Sequence, residues 1–305
     1  MNNKIKTIST EILENKYYKF YLANRKQITG SPINKDAMPE KEMADKLVVL
    51  ASTILNSPKY QGEFQYVSEK LLITFDDIIN TVLFYTLDLN KVENSDYFDN
   101  YAMRACLRLH ALVQDSYHRD KHNAVKNMMN NPQIKTAIEF GCGFPSDYVF
   151  AALEQNQHIT LTDYDQSALT YCKTVLEYHN KGYKNNISFN AVDINKMENP
   201  GPYDAYIMLD SLEHTADPTA YLTMLVDNMP KGAHLITSLP IGNIDTMSHA
   251  HHIEFLSEND IIEWLESAGL KIMSSVQTKP NPKVDYFASL LVGGYIDLIV
   301  DAIKK

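Results

Sequence analysis

The chain has 305 residues, 45% of them apolar, with three cysteines and a formal net charge of −10. That length and apolar share suffice for a full hydrophobic core and are expected to divide into two units. The acidic balance argues against a nucleic-acid substrate, because phosphate backbones are bound through clustered Lys and Arg. Cys106, Cys142 and Cys172 are odd in number and lack metal-ligand spacing, as expected for a reducing cytoplasm. The opening run Met1–Lys6 has no apolar signal-peptide region. Tyr286 to Ile296, the longest nearly uncharged run, is too short to span a bilayer. A cytoplasmic protein without a membrane span is therefore expected.

Residues 1–130 read as helix after helix, an all-α domain with segments at Thr10–Gln27, Glu40–Leu55, Ser68–Leu87 and Ser95–Asn130. Leu71, Leu72, Phe75, Ile78, Ile79, Val82 and Leu83 recur at spacings of three and four, as on an amphipathic helix. Pro39 with Glu40 and Glu42 makes a sound helix start. Tyr17, Tyr18, Phe20 and Tyr21 are read as core residues at their spacing. Two roles suit such a unit: a bundle that covers one end of a sheet and pairs subunits into a homodimer, or a lid that builds an acceptor pocket. Asn130, Asn131 and Pro132 punctuate the join to a second domain, 131–305.

There the pattern changes. Ala137–Phe140 is a short buried strand that ends in Gly141-Cys142-Gly143, and Tyr148–Leu153 follows with a helical pattern. A second apolar strand, Ile159–Thr162, stops at Asp163, about 20 residues past the glycines, where an acid can grip a ribose diol. The third glycine of a dinucleotide fingerprint is replaced by Ser146, and Pro145 removes an amide that a pyrophosphate would use. Glu139 is unfavourable beside a dianion and suits a cationic ligand. Asn186–Asp193 alternates as a third strand ending in an acid, Tyr203–Asp210 is a fourth, and Gly232–Leu239 a fifth. Lys271–Thr278 and Val284–Gly293 are two late strands, an antiparallel terminal hairpin.

Glu139-x-Gly141-x-Gly143 resembles the E/D-x-G-x-G signature of class I S-adenosylmethionine (AdoMet)-dependent methyltransferases. Asp210-x-Leu212-Glu213-His214-x-x-Asp217-Pro218, with the later His252–Phe255 segment, resembles the small-molecule subgroup that includes the ubiquinone-biosynthesis O-methyltransferases. The resemblance covers roughly residues 130–295 and implies an α/β class I methyltransferase fold, a Rossmann-like doubly wound sheet. It departs from the family at Pro145, where a third glycine is frequent. It implies AdoMet as cofactor, with Glu139, Gly141, Cys142 and Gly143 around the methionine end and Asp163 on the ribose hydroxyls. Asp193 and Ile194 would meet the adenine, Tyr164 would cover its edge, and Asp210 would close the pocket. Cys142 is read as a small filler and not as a nucleophile.

Methyl transfer is an in-line displacement governed by alignment and desolvation, and an O or N acceptor on a small metabolite must also lose a proton. His214, His249 and His251 are the candidate bases or orienting groups, because both of their segments leave carboxyl ends of strands. The run His249–Glu254 also invites a metal reading, but its spacing is not a metal signature, and no metal is expected. Two other functions use the same cofactor site: aminocarboxypropyl transfer of the nicotianamine-synthase type, and non-catalytic AdoMet binding.

Overall fold

The computed structural model describes residues 51–79, 81, 101–112, 117–179, 182–196, 199–242, 251–278 and 296–305. Strands β1 (Thr136–Phe140), β2 (His158–Asp163), β3 (Ile187–Ala191), β4 (Ala205–Leu209), β5 (His234–Ile241), β6 (Leu270–Thr278) and β7 (Ile296–Lys304) form one sheet. Their order is β3-β2-β1-β4-β5-β7-β6. Only β7 runs against the rest, antiparallel to both β5 and β6. The order reverses at β1, which pairs in parallel with β2 on one side and β4 on the other. Ligands of open α/β sheets bind at such a reversal, beside the carboxyl ends of the strands.

The described helices are α1 (Gln61–Leu71), α2 (Tyr101–Leu112), α3 (Tyr117–Met129), α4 (Asp147–Glu154), α5 (Gln166–His179), α6 (Pro218–Asn228) and α7 (Glu258–Ser267). Alternate residues of β1 feed two cores. Ala137 packs with Tyr148, Val149, Leu169, Leu176 and Val125 beneath α3, α4 and α5. Ile138 and Phe140 pack with Leu222, Leu225, Ile261 and Leu265 beneath α6 and α7. Local chemistry fixes where the latter two helices begin. Asp217 accepts from the Ala220 amide with Pro218 in the first turn, and Ser257 forms a capping box with Asp260.

A third core joins the segment before the sheet to α5: Leu55, Phe64, Val67, Ile78, Cys106 and Leu109 pack with Tyr171 and Val175. Of the expected helices there, Thr10–Gln27 lies outside the described residues, and so does Glu40–Leu55 except for a helical stretch at 51–55. Ser68–Leu87 is not one helix. It ends at Leu71, Leu72 turns left-handed (φ 57°) and is 90% exposed, and Thr74 with Asp77 caps a new turn through reciprocal side-chain bonds. The apolar spacing continues across the break, so periodicity alone does not reveal it. The Val284–Gly293 strand lies outside the described residues, and the strand that pairs with β6 is Ile296–Lys304.

Glu63 of α1 is fully buried and accepts from Arg108 Nε (3.1 Å) and Nη2 (3.3 Å), with His179 Nε2 at 2.6 Å. Burial alone raises the Glu63 pKa, but Arg108 and His179 more than offset it and bring it from 4.5 to about 2. A depressed folded value places the stabilisation above pH 4.5, with loss as the pH falls towards 2. Arg108→Met, which strands the carboxylate, is expected to lower unfolding free energy in urea by about 3–5 kcal/mol at neutral pH. Glu63→Gln should flatten the acid limb of stability between pH 4.5 and 2.

Candidate active site

The loop after β1 is shaped by two left-handed glycines, Gly141 (φ 70°) and Gly143 (φ 55°). A Cβ on Gly141 would be strained by the left-handed backbone and would stand 3.2 Å from Ser211 Cβ in the loop after β4, close enough to press on it. The Cys142 amide donates to Thr162 O at 3.0 Å, continuing the β1–β2 ladder. The Cys142 side chain turns into the core, 3.8 Å from Cys172 Sγ, where its thiol pKa is held high by that contact and by burial. It is filler, as its size suggests.

Asp163, buried at the end of β2, is the loop's anchor. One carboxylate oxygen accepts from the Gly143 amide (2.9 Å) and the other from Asp165 N (2.9 Å). Each oxygen keeps a second lone pair for a ligand hydroxyl. Burial raises the Asp163 pKa and Arg104 opposes it. Glu139, 2% exposed, has Oε2 without a hydrogen-bond partner. Burial pushes its pKa from 4.5 up to about 8; the nearby Tyr148 hydroxyl opposes the shift and Asp163 adds to it.

Two arginines of α2 reach this loop. Arg104 is paired with Asp165 at 2.5 Å, stands 3.6 Å from the Cβ position of Gly143, and leaves its buried Nε–H unpartnered. Arg108 donates to Pro145 O at 3.2 Å and to Asp147 at 3.3 Å. Pro145 has no amide to offer a ligand, yet its carbonyl fastens the loop to α2. Neither arginine was expected as a site residue. Their i, i+4 spacing inside an apolar helix is the one signal the sequence carries for them.

At the end of β4, Asp210 (φ 48°) is bonded to Lys121 Nζ and accepts from Ser238 Oγ at 2.6 Å. Lys121, 1% exposed, also donates to Asp297 of β7 at 2.9 Å. Burial pushes the Asp210 carboxyl up, but Lys121 more than compensates and holds it below the usual carboxylate range. His122 beside it is buried edge-on to Phe144 of the glycine loop, and its pKa falls to about 3 through burial and the Lys121 charge. Asp193 and Ile194 follow β3. Asp193 accepts from the Asn195 amide (3.0 Å) and pairs with Lys196 (2.8 Å), and Ile194 packs on the α6–α7 core. Tyr164 is 63% exposed.

Of the histidines, His214 and His251 come together, their ring centres 4.7 Å apart at 69°. His251 is buried, with a pKa lowered to about 4 first by burial and then by His214. His214 is exposed, and His249 lies outside the described residues. Glu213, between them and 1% exposed, was not among the expected site residues.

Residues 111–275, more than half of the chain, match the family described as "Methyltransferase domain". The chain belongs to this family. It is an AdoMet-dependent methyltransferase. Among solved structures, this methyltransferase is similar to magnesium protoporphyrin IX methyltransferase from Synechocystis, crystallised with S-adenosylhomocysteine. That likeness has 17% identity and a TM-score of 0.50, covering 69% of this chain and 97% of that one. N-methyltransferase NodS from Bradyrhizobium japonicum is 15% identical over 63% of this chain and 99% of its own, with a TM-score of 0.46. The cyclase SpnF is 13% identical over 63% and 83%, with a TM-score of 0.49. These likenesses are of fold. No curated protein sequence matches the chain.

Because burial raises the Glu139 pKa on folding, the carboxyl carries no ionisation penalty below pH 4.5 and destabilises the fold increasingly as the pH rises towards 8. Glu139→Gln is therefore expected to stabilise the ligand-free protein by about 3 kcal/mol at pH 7 while weakening AdoMet binding. Denaturant unfolding and calorimetric titration read the two effects separately.

Proposed function

We propose that this methyltransferase transfers a methyl group to an oxygen or nitrogen of a small-molecule acceptor by in-line displacement. The observation that carries the reading is a pair of orphaned polar atoms at the glycine loop, one an acceptor and one a donor. The Glu139 Oε2 acceptor and the Arg104 Nε–H donor are both buried and both unpartnered. The methionine end of AdoMet presents an ammonium and a carboxylate, and buried polar groups of each sign require such partners. When bound, AdoMet supplies a methyl group on a sulfonium leaving group.

The chain's own residues align it and exclude water. Glu139 receives the ammonium, Arg104 the carboxylate, and Asp163, its own geometry fixed by two backbone amides, the ribose hydroxyls. Asp193 and Ile194 stand after β3, where the adenine is expected, and α2 covers the loop as a lid. Past β4, His214 and His251 face the acceptor; His251 is neutral at pH 7, and His214 beside it opens to solvent. Among the described residues the three cysteines are buried and form no disulfide, which fits a reducing cytoplasm. Among the described residues no helix is long and apolar enough to cross a membrane.

Arg104→Gln should raise the Kd for AdoMet about tenfold or more, the worth of a hydrogen bond to a charged group, and leave adenosine binding unchanged. Equal loss for both ligands would assign Arg104 to scaffolding alone. In turnover with hydroxylated and amino metabolites the expected nucleoside product is S-adenosylhomocysteine. Methylthioadenosine in its place would mean aminocarboxypropyl transfer.

A further inference from the structure

Glu213, His214 and His251 form a group that methyl-donor binding does not use. A single turn of 3-10 helix, Leu212–His214, follows β4 and carries the first two. After β5 the chain returns, and the His252 amide donates to Glu213 O at 2.8 Å, which sets His251 against that turn. Glu213 is 1% exposed and its Oε2 has no hydrogen-bond partner; His251 is 8% exposed and its Nδ1 has none. One ligand atom from each of the three residues lies within 4.8 Å of the others.

A buried carboxyl oxygen and a buried ring nitrogen, each without a hydrogen-bond partner, are costly. A divalent cation satisfies both at once. Metal–ligand bonds of about 2 Å at tetrahedral angles place donor atoms about 3.3 Å apart, so small side-chain rotations close the set. Asp210, whose charge acts on Glu213, is committed to Lys121 and Ser238, which leaves three protein ligands among the described residues. With His214 exposed, the remaining coordination positions open outward, the arrangement of a catalytic rather than a structural site.

We propose that Glu213, His214 and His251 bind a divalent cation of borderline transition-metal type, such as Zn2+ or Mn2+, which receives an oxygen acceptor. Two imidazoles and one carboxylate favour such ions over Mg2+ or Ca2+. The acceptor half of the proposal rests on the methyl-transfer reading above. An alcohol or phenol held there releases its proton to solvent. Its oxygen forms the new C–O bond as the C–S bond breaks, and the electron pair stays on sulfur, leaving S-adenosylhomocysteine. The histidines thereby serve as ligands, and the metal takes over the task of a base.

The test uses the full chain, stripped with chelator and titrated with Co2+ while visible d–d absorption is followed, without AdoMet. One equivalent is expected to bind, with Glu213→Gln, His214→Ala and His251→Ala each weakening it beyond the about 10- to 100-fold that loss of even an outer-sphere partner costs. His214 is exposed, so its variant keeps the test valid if a buried one fails to fold. Adding catechol, a bidentate oxygen ligand, should shift the wild-type spectrum. Wild type binding no better than the variants would overturn the site, and an unchanged spectrum with catechol would overturn the oxygen-acceptor half. AdoMet binding measured in parallel separates the two readings. Co2+ without AdoMet binding keeps the metal site and sinks the cofactor account, and AdoMet without Co2+ binding does the reverse.

Discussion

Three buried cations, Arg104, Arg108 and Lys121, hold the helical segment against the carboxyl ends of the strands, and the site's geometry depends on them. Each lies on a helix that precedes the sheet, and each ends on carboxylates beside the glycine loop or the end of β4. A buried charge without its partner costs several kcal/mol, so these contacts specify where the helices sit even where they add little net stability. The same contacts press α2 onto Gly143 and Pro145. The two helices that carry these cations thus belong to the architecture of the site as much as the sheet does.

Within that frame the glycine loop divides its labour by atom. Backbone amides are fixed by Asp163, side-chain volume is withheld at Gly141 and Gly143, and one polar atom is left without a partner on each of Glu139 and Arg104. Stability is sacrificed at Glu139, where a carboxyl is buried without a cation. Such local cost is expected at a functional site, and under the proposed function the missing partner is the ligand's ammonium group.

The parallel strands were legible because each is a short apolar run ended by a glycine or an acid, and β1 to β5 fall where those runs predict. β7 was not. Its sequence is interrupted by Asp297 and Asp301, which are buried against Lys121 and His234. An acid inside a buried strand is recognisable only once its distant partner is known. Glu63 in α1 is the same case, its charge explained by Arg108, 45 residues away. Leu72 fails for another reason: a left-handed break leaves the apolar spacing intact on both sides. Around the candidate site, the structure brings Asp163 and the glycine loop together, and their positions in the sequence pointed to that contact. Arg104 and Lys121 were not legible in this way, because each is paired with a carboxylate from another element.

The most direct test of the central claim, that the loop from Gly141 to Asp163 is built for AdoMet, is a thermal-shift titration of wild type and Asp163→Ala. AdoMet, S-adenosylhomocysteine and NAD are compared. A ligand that binds only the native state raises the melting temperature by mass action. Stabilisation by the two sulfur nucleosides, none by NAD, and loss of most of the effect in the variant are predicted. Stabilisation by NAD alone, or an undiminished shift in Asp163→Ala, would contradict the account.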